Sequence, residues 1–156
     1  MSILPIFIPH AGCPHQCVFC NQKTISGQKL AAVAAAKEQL ARWHSWLRPS
    51  VANEAAFYGG SFTGLPLELQ EELLVLTDAL LAEGFIGSVR LSTRPDYIDE
   101  ERLQLLQRHG VRLVELGVQS LDDKVLAAAE RGHTAAQVAP AVALLKRFGF
   151  HVGLQL

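Results

Sequence analysis

"SVRLSTRPDYIDEERLQLLQRHGVRLVELGVQS" (residues 88–120) joins two apolar stretches of strand length through a segment of helical periodicity. In its middle, "DEERLQLLQRHG" (99–110) reads as a helix, with Asp99 in the N-cap position and Gly110 just past its end. "SVRLST" and "VRLVELGVQS" on either side read as strands. Two strands with a helix between them imply a crossover connection, so they lie parallel in one sheet. The same alternation continues in both directions. Upstream come a strand in "ILPIFIP" (3–9), a helix in "AAVAAAKEQLARWHSWL" (31–47), a short strand in "AAFYGG" (55–60) and a helix in "LPLELQEELLVLTDALLAEG" (65–84). The last of these has Pro66 near its start, acids in its early turns and Gly84 at its stop. Downstream, helices near 122–131 and 135–148 precede "HVGLQL" (151–156), which opens a fifth strand. The order implies an α/β protein with a parallel sheet, either open and doubly wound or closing as a barrel. No repeat, low-complexity tract or linker divides residues 1–156, so they are read as part of a single domain. The pattern stops inside an apolar strand at Leu156, and the expectation is the N-terminal part of a larger core, cut after the fifth strand.

A length of 156 residues with 49% hydrophobic and 19% charged content suits a globular domain and excludes a disordered chain. Fourteen basic against fifteen acidic residues, scattered along the chain, leave a net charge of -1 and no polycationic footprint for nucleic acid. The start "MSILPIFIPHAG" has no basic n-region, and no window reaches the roughly 18 apolar residues of a membrane span. A cytoplasmic protein without membrane contact is expected. In that compartment thiols stay reduced.

All three cysteines, Cys13, Cys17 and Cys20, fall in "GCPHQCVFCNQ" (12–22), directly after the first strand. "GGSFTG" (59–64) follows the second strand, and "STRPDY" (92–97) and "GVQS" (117–120) close the third and fourth. In a parallel sheet or barrel these ends share one face, where loops converge on ligands. The spacing CxxxCxxC offers three thiolates, which suit zinc, copper(I) or iron–sulfur clusters. Closed sites take four ligands. Either His10 or His15 completes a zinc site, or one metal vertex stays open for a ligand that is not protein. The "RPDY" run (94–97) reads as a turn before the third helix, and His44, His109 and His133 receive no role.

CxxxCxxC with an aromatic residue before its third cysteine, at the end of a first strand, resembles the radical S-adenosylmethionine (radical SAM) superfamily. The resemblance implies a partial (β/α)6 barrel. It implies a [4Fe-4S] cluster on Cys13, Cys17 and Cys20, whose open iron is chelated by S-adenosylmethionine. Reductive cleavage of that cosubstrate gives a 5′-deoxyadenosyl radical that abstracts hydrogen from a substrate. "YGGS" (58–61) is similar to the family's glycine-rich motif, so Gly59, Gly60 and Ser61 are expected near the methionine amine, where glycine lets the backbone approach. By likeness to the oxygen-independent coproporphyrinogen oxidase branch, Gln119 would reach the ribose, Arg131 in "ERGHT" the methionine carboxylate, and Phe19 the adenine. Ser61 and Ser92 stand where many members carry acidic residues; each hydroxyl can donate and accept. "CPHQCVFCNQ", "STRPD", "ELGVQS" and "RGHT" together look most like the group related to the Elongator catalytic subunit, whose cysteine spacing is longer than here. Together these likenesses imply a low-potential electron donor such as flavodoxin or ferredoxin, and an RNA or tetrapyrrole-type substrate. The competing class is a non-enzymatic zinc or iron–sulfur binding module, or an inactive truncated barrel.

Overall fold

A computed structural model describes residues 2–8, 12, 13, 15, 17–20 and 29–156. Its frame is five parallel strands, β1 (Ile3–Phe7), β2 (Glu54–Tyr58), β3 (Ser88–Thr93), β4 (Val111–Gly117) and β5 (His151–Gln155). They stand in the sheet in the order in which the chain makes them. A doubly wound sheet reverses direction part-way; this one does not, and its sequential order is that of a barrel wall. Helices α1 (Lys29–Trp46), α2 (Leu67–Ala82), α3 (Glu100–Arg108), α4 (Asp123–Ala128) and α5 (Val138–Arg147) fill the connections.

The strands alternate as expected for a sheet with two unlike faces. Leu4, Ala55, Val89, Leu91, Val114 and Leu116 are buried on one face and join Leu40, Leu73, Leu74, Leu103, Leu106 and Leu145 from the helices in one apolar core. In α2 the buried positions Leu69, Leu73, Leu80 recur at helical spacing, which is why that segment folds as a helix. The opposite face carries Glu54, Tyr58, Arg90, Ser92 and Glu115, all partly buried. Arg90 bridges Glu115 at 2.7 Å and Glu54 at 3.4 Å, so the polar face is internally paired.

β1 is an edge strand, which leaves its outer backbone groups in need of partners. Side chains of α1 supply them: Gln39 Oε1 accepts from Phe7 N at 2.7 Å, Gln39 Nε2 donates to Phe7 O at 3.1 Å, and Trp43 Nε1 donates to Pro5 O at 3.0 Å. Asp99 caps α3 as its position predicts, accepting from Arg102 N at 2.9 Å. The strand expected over 111–120 ends at Gly117, because Gln119 takes a left-handed φ of 69° that no ladder continues. Likewise α4 stops at Ala128, and the first turn expected in the next helix is a 3-10 turn at Ala135–Gln137. Among the described residues no helix is long and apolar enough to cross a membrane.

Candidate functional site

The described residues of the cysteine loop are fastened at more than one point. At its start Gly12, with φ 83°, lies so close to the segment after β2 that an added Cβ would stand 2.2 Å from Ser61 O, and one on Gly64 would stand 2.1 Å from Gly12 O. Only two backbones without side chains can approach that closely. Farther along, Val18 N donates to Ala129 O at 3.1 Å, which docks the loop on the end of α4. His15 rests on Gly132, whose added Cβ would lie 2.3 Å from the imidazole. The partner segment is itself held firmly: Gln70 Nε2 donates to Leu65 O at 2.7 Å and Arg102 Nε to Thr63 O at 2.7 Å.

Between these anchors opens a cavity of about 270 Å3 at the C-terminal ends of the strands, lined by residues at the ends of β2 to β5, by the loop after β1 and by the segment after α4. Cys13 and Cys20 face it, together with Gly59, Gly60, Ser92, Gln119 and Arg131. Seven of the expected site residues therefore share one space. Cys17 is buried behind them, its Sγ 3.5 Å from Arg131 Nη1. All three thiols are free. Among the described residues no three His, Cys, Asp or Glu side chains gather around a single point tightly enough to hold one ion. His15 does not line the cavity; it faces a separate depression beside Asp123 and His133. His10 lies outside the described residues.

Two expected residues are placed elsewhere. Phe19 is exposed on the loop and does not line the cavity. Ser61 is fully buried beneath it, with Oγ sharing a hydrogen with Thr93 Oγ1 at 2.9 Å and accepting from Arg94 N at 3.3 Å. Thr93 Oγ1 also contacts Thr63 Oγ1 and accepts from Thr63 N at 3.3 Å, so one hydroxyl ties the end of β3 to the turn after β2. Ser92 lies on the cavity wall, and its Oγ donates to Glu115 Oε2 at 3.4 Å.

Arg131 enters from the segment after α4. Nη2 donates to Gly117 O at 2.6 Å, and an added Cβ on Gly117 would come within 2.8 Å of that nitrogen, so the glycine makes room for the guanidinium. Its Nε is buried with no partner among the described residues. Arg94 and Asp96 also build the site, although their sequence reads as a turn. Arg94 lines the cavity with its charge paired to Asp96. The only signal for it is an acid two residues after a basic residue at a strand end.

Burial pushes the Cys13 thiol above its ordinary pKa, against a backbone contact from Ser61 and the fields of Arg94 and Arg131, which favour thiolate. Cys20 is raised as well, by desolvation and the neighbouring Cys17 and Cys13. Such thiols keep their protons until a metal displaces them. Burial, followed by Arg131 and Arg94, holds the His133 imidazole below its usual range. Three free thiols on one anchored loop, at the mouth of a cavity with two guanidinium groups, fit a thiolate-held iron–sulfur cluster with an anionic ligand beside it.

The profile of the Radical SAM superfamily matches residues 7–156. Elongator complex protein 3 of Saccharomyces cerevisiae is 31% identical over 117 residues, 64% of this chain and 21% of that protein. A tRNA uridine(34) acetyltransferase of Methanocaldococcus jannaschii is 23% identical over 194 positions, covering 100% of this chain and 36% of the relative. The chain thus spans between about a fifth and a third of the length of these two relatives. Coproporphyrinogen III oxidase from Escherichia coli superposes with a TM-score of 0.72 at 22% identity, covering 98% of this chain and 36% of that one, which shows the shared fold.

Proposed function

This chain belongs to the radical SAM superfamily, and from that premise we propose that it is the S-adenosylmethionine-cleaving part of an enzyme, with Cys13, Cys17 and Cys20 holding a [4Fe-4S] cluster. When bound, the cluster supplies one electron that splits the cosubstrate to methionine and a 5′-deoxyadenosyl radical, which abstracts hydrogen from the substrate. The protein's share is placement and exclusion. Arg131 takes the methionine carboxylate. The backbone at Gly59 and Gly60 receives the methionine amine, with Ser61 supporting that turn from below. Gln119 and Ser92 address the ribose, and Phe19, on the exposed side of the loop, is left for the adenine. No side chain is assigned a general acid or base role, since the radical performs the abstraction.

One observation carries this reading: Arg131, whose Nε has no partner among the described residues, stands 3.5 Å from a cysteine of the CxxxCxxC loop. An arginine beside a metal-binding thiol suits a site where an anionic ligand meets the metal. A structural zinc knuckle has no need of that cation. As for substrate, the name of the Methanocaldococcus jannaschii relative favours a uridine of transfer RNA over a tetrapyrrole, because the oxidase likeness is one of fold. A low-potential donor such as flavodoxin or ferredoxin would supply the electron.

The test is anaerobic reconstitution with iron and sulfide, then electron paramagnetic resonance of the dithionite-reduced protein with and without S-adenosylmethionine. A [4Fe-4S] signal whose g-values move on adding the cosubstrate is the expected result. Tightly bound zinc with no cluster signal would overturn the reading. Release of 5′-deoxyadenosine that rises with transfer RNA, and not with a porphyrinogen, would support the substrate class.

A further inference from the structure

Arg94 directly follows β3 with only 2% of its surface exposed, a depth at which a cation depends on the protein for all of its solvation. Asp96 accepts from it in a fork, Nε to Oδ1 at 2.9 Å and Nη2 to Oδ2 at 2.8 Å. The Tyr97 ring centre lies 5.9 Å from its guanidinium carbon. The remaining contact crosses the site: Nη1 donates to the main-chain carbonyl of Arg131 at 2.6 Å. Arg131 then reaches Gly117 O and Cys17 Sγ with its own guanidinium. A continuous line of contacts therefore runs from Asp96 through Arg94 and Arg131 to the cysteine loop.

We propose that Arg94, held by Asp96, is a positioning residue for Arg131: it fixes the carbonyl of that residue and so the backbone from which the Arg131 side chain enters the cavity. The inference rests on the cofactor reading above, in which Arg131 receives the carboxylate of S-adenosylmethionine. Arg94 lines the cavity, but its guanidinium is committed within the protein, with one edge filled by Asp96 and Nη1 spent on the carbonyl. A lysine cannot take its place, since one ammonium cannot span both carboxylate oxygens and the carbonyl in a single plane.

The sign of one substitution separates positioning from simple electrostatics. Asp96→Asn removes a negative charge near a site for an anion, and a purely electrostatic effect would tighten cosubstrate binding. Loss of the fork that orients Arg94 would weaken it. The experiment titrates S-adenosylmethionine into the reconstituted, reduced chain, reads affinity from the change in the paramagnetic spectrum, and measures iron alongside. Asp96→Asn and Arg94→Lys are expected to keep the iron content of the unmodified protein and to bind the cosubstrate about tenfold more weakly. Combined with Arg131→Lys, Asp96→Asn should add no further loss, because both act through one contact. Binding by Asp96→Asn as tight as or tighter than the unmodified protein, loss of its iron, or additive losses in the double variant would overturn the positioning role and leave the cofactor reading standing. Failure of the unmodified protein to take up cluster or cosubstrate would overturn both. Should Arg94→Lys not fold, Asp96→Asn, which leaves the arginine in place, decides the matter.

Discussion

Gly12 and Gly64 face each other without a side chain between them: a Cβ on Gly64 would stand 2.1 Å from the carbonyl oxygen of Gly12. The start of the cysteine loop is therefore set by a backbone contact to the turn after β2. Gly64→Ala is expected to push the two segments apart at a cost of about 1–3 kcal/mol, the usual range for overpacking. Gly64 has no positive φ to complicate the result, whereas Gly12 at 83° does. Urea denaturation should give a lower midpoint for Gly64→Ala, and reconstitution a lower iron content. A variant with unchanged midpoint and full iron would mean that the contact of Gly12 with the turn after β2 does not hold the loop.

Thr93 gathers three partners, Ser61 Oγ, Thr63 Oγ1 and Thr63 N, around one buried hydroxyl. Thr93→Val keeps the shape and removes that oxygen. Thr63 N then loses its acceptor in a buried place, and a loss of about 1–3 kcal/mol is expected. Thr93→Ser, which retains the hydroxyl, should fall well short of that loss. Equal losses for the two variants would mean that the hydroxyl is not what ties the end of β3 to the turn after β2.

These two cases show what the sequence could and could not disclose. The helices and strands were legible because apolar residues recur with the helical or strand period, as at Leu69, Leu73 and Leu80 of α2 or Leu4 and Ile6 of β1. Convergence of the cysteine loop with Gly59, Gly60, Ser92 and Gln119 was legible too, since each follows a strand and parallel strands end on one face. The choice between barrel and open sheet was not, because both share the same alternation and differ only in strand order. The sequence pattern carries the fourth strand past Gly117 because Val118 is apolar, while the left-handed φ at Gln119 leaves no mark in composition. By its sequence Arg94 belongs to a turn. A charged residue beside proline ordinarily does, and only the forked contact with Asp96 shows why this one turns inward.

Stability should depend on pH in two separate windows. His133 is almost wholly buried, and its pKa is lowered by that burial and by Arg131 and Arg94. The unfolded chain then binds the proton more readily, so stability falls as pH drops below the ordinary imidazole value of about 6.5. For Asp96 burial works to raise the pKa, but the hydrogen bond and charge of Arg94 lower it overall. Its stabilising contribution is complete above the ordinary carboxylate value, about 3.9, and is lost as pH falls through the lower folded value. Unfolding free energies measured from pH 4.5 to 7.5 for the unmodified chain and for His133→Asn should converge toward low pH, because the variant lacks the imidazole that must be protonated. Parallel curves would show that His133 titrates alike in the folded and unfolded chains.

Cys17 is the cysteine on which the metal reading depends most directly, being the buried one and the one beside Arg131. Replacing it with alanine removes a small buried side chain that makes no disulfide, so the fold should survive with a modest loss of about 1 kcal/mol. The cluster should not survive, because two thiolates cannot hold it as three do. Reconstituted Cys17→Ala is therefore expected to keep the circular dichroism of the unmodified protein while losing most of its iron and acid-labile sulfide. Cys13→Ala and Cys20→Ala should behave alike, since the cluster needs each thiolate even though their burial differs. A full complement of iron and sulfide on the folded Cys17→Ala protein would mean that this residue is not a ligand, and the assignment of the CxxxCxxC loop to a cluster would then fail.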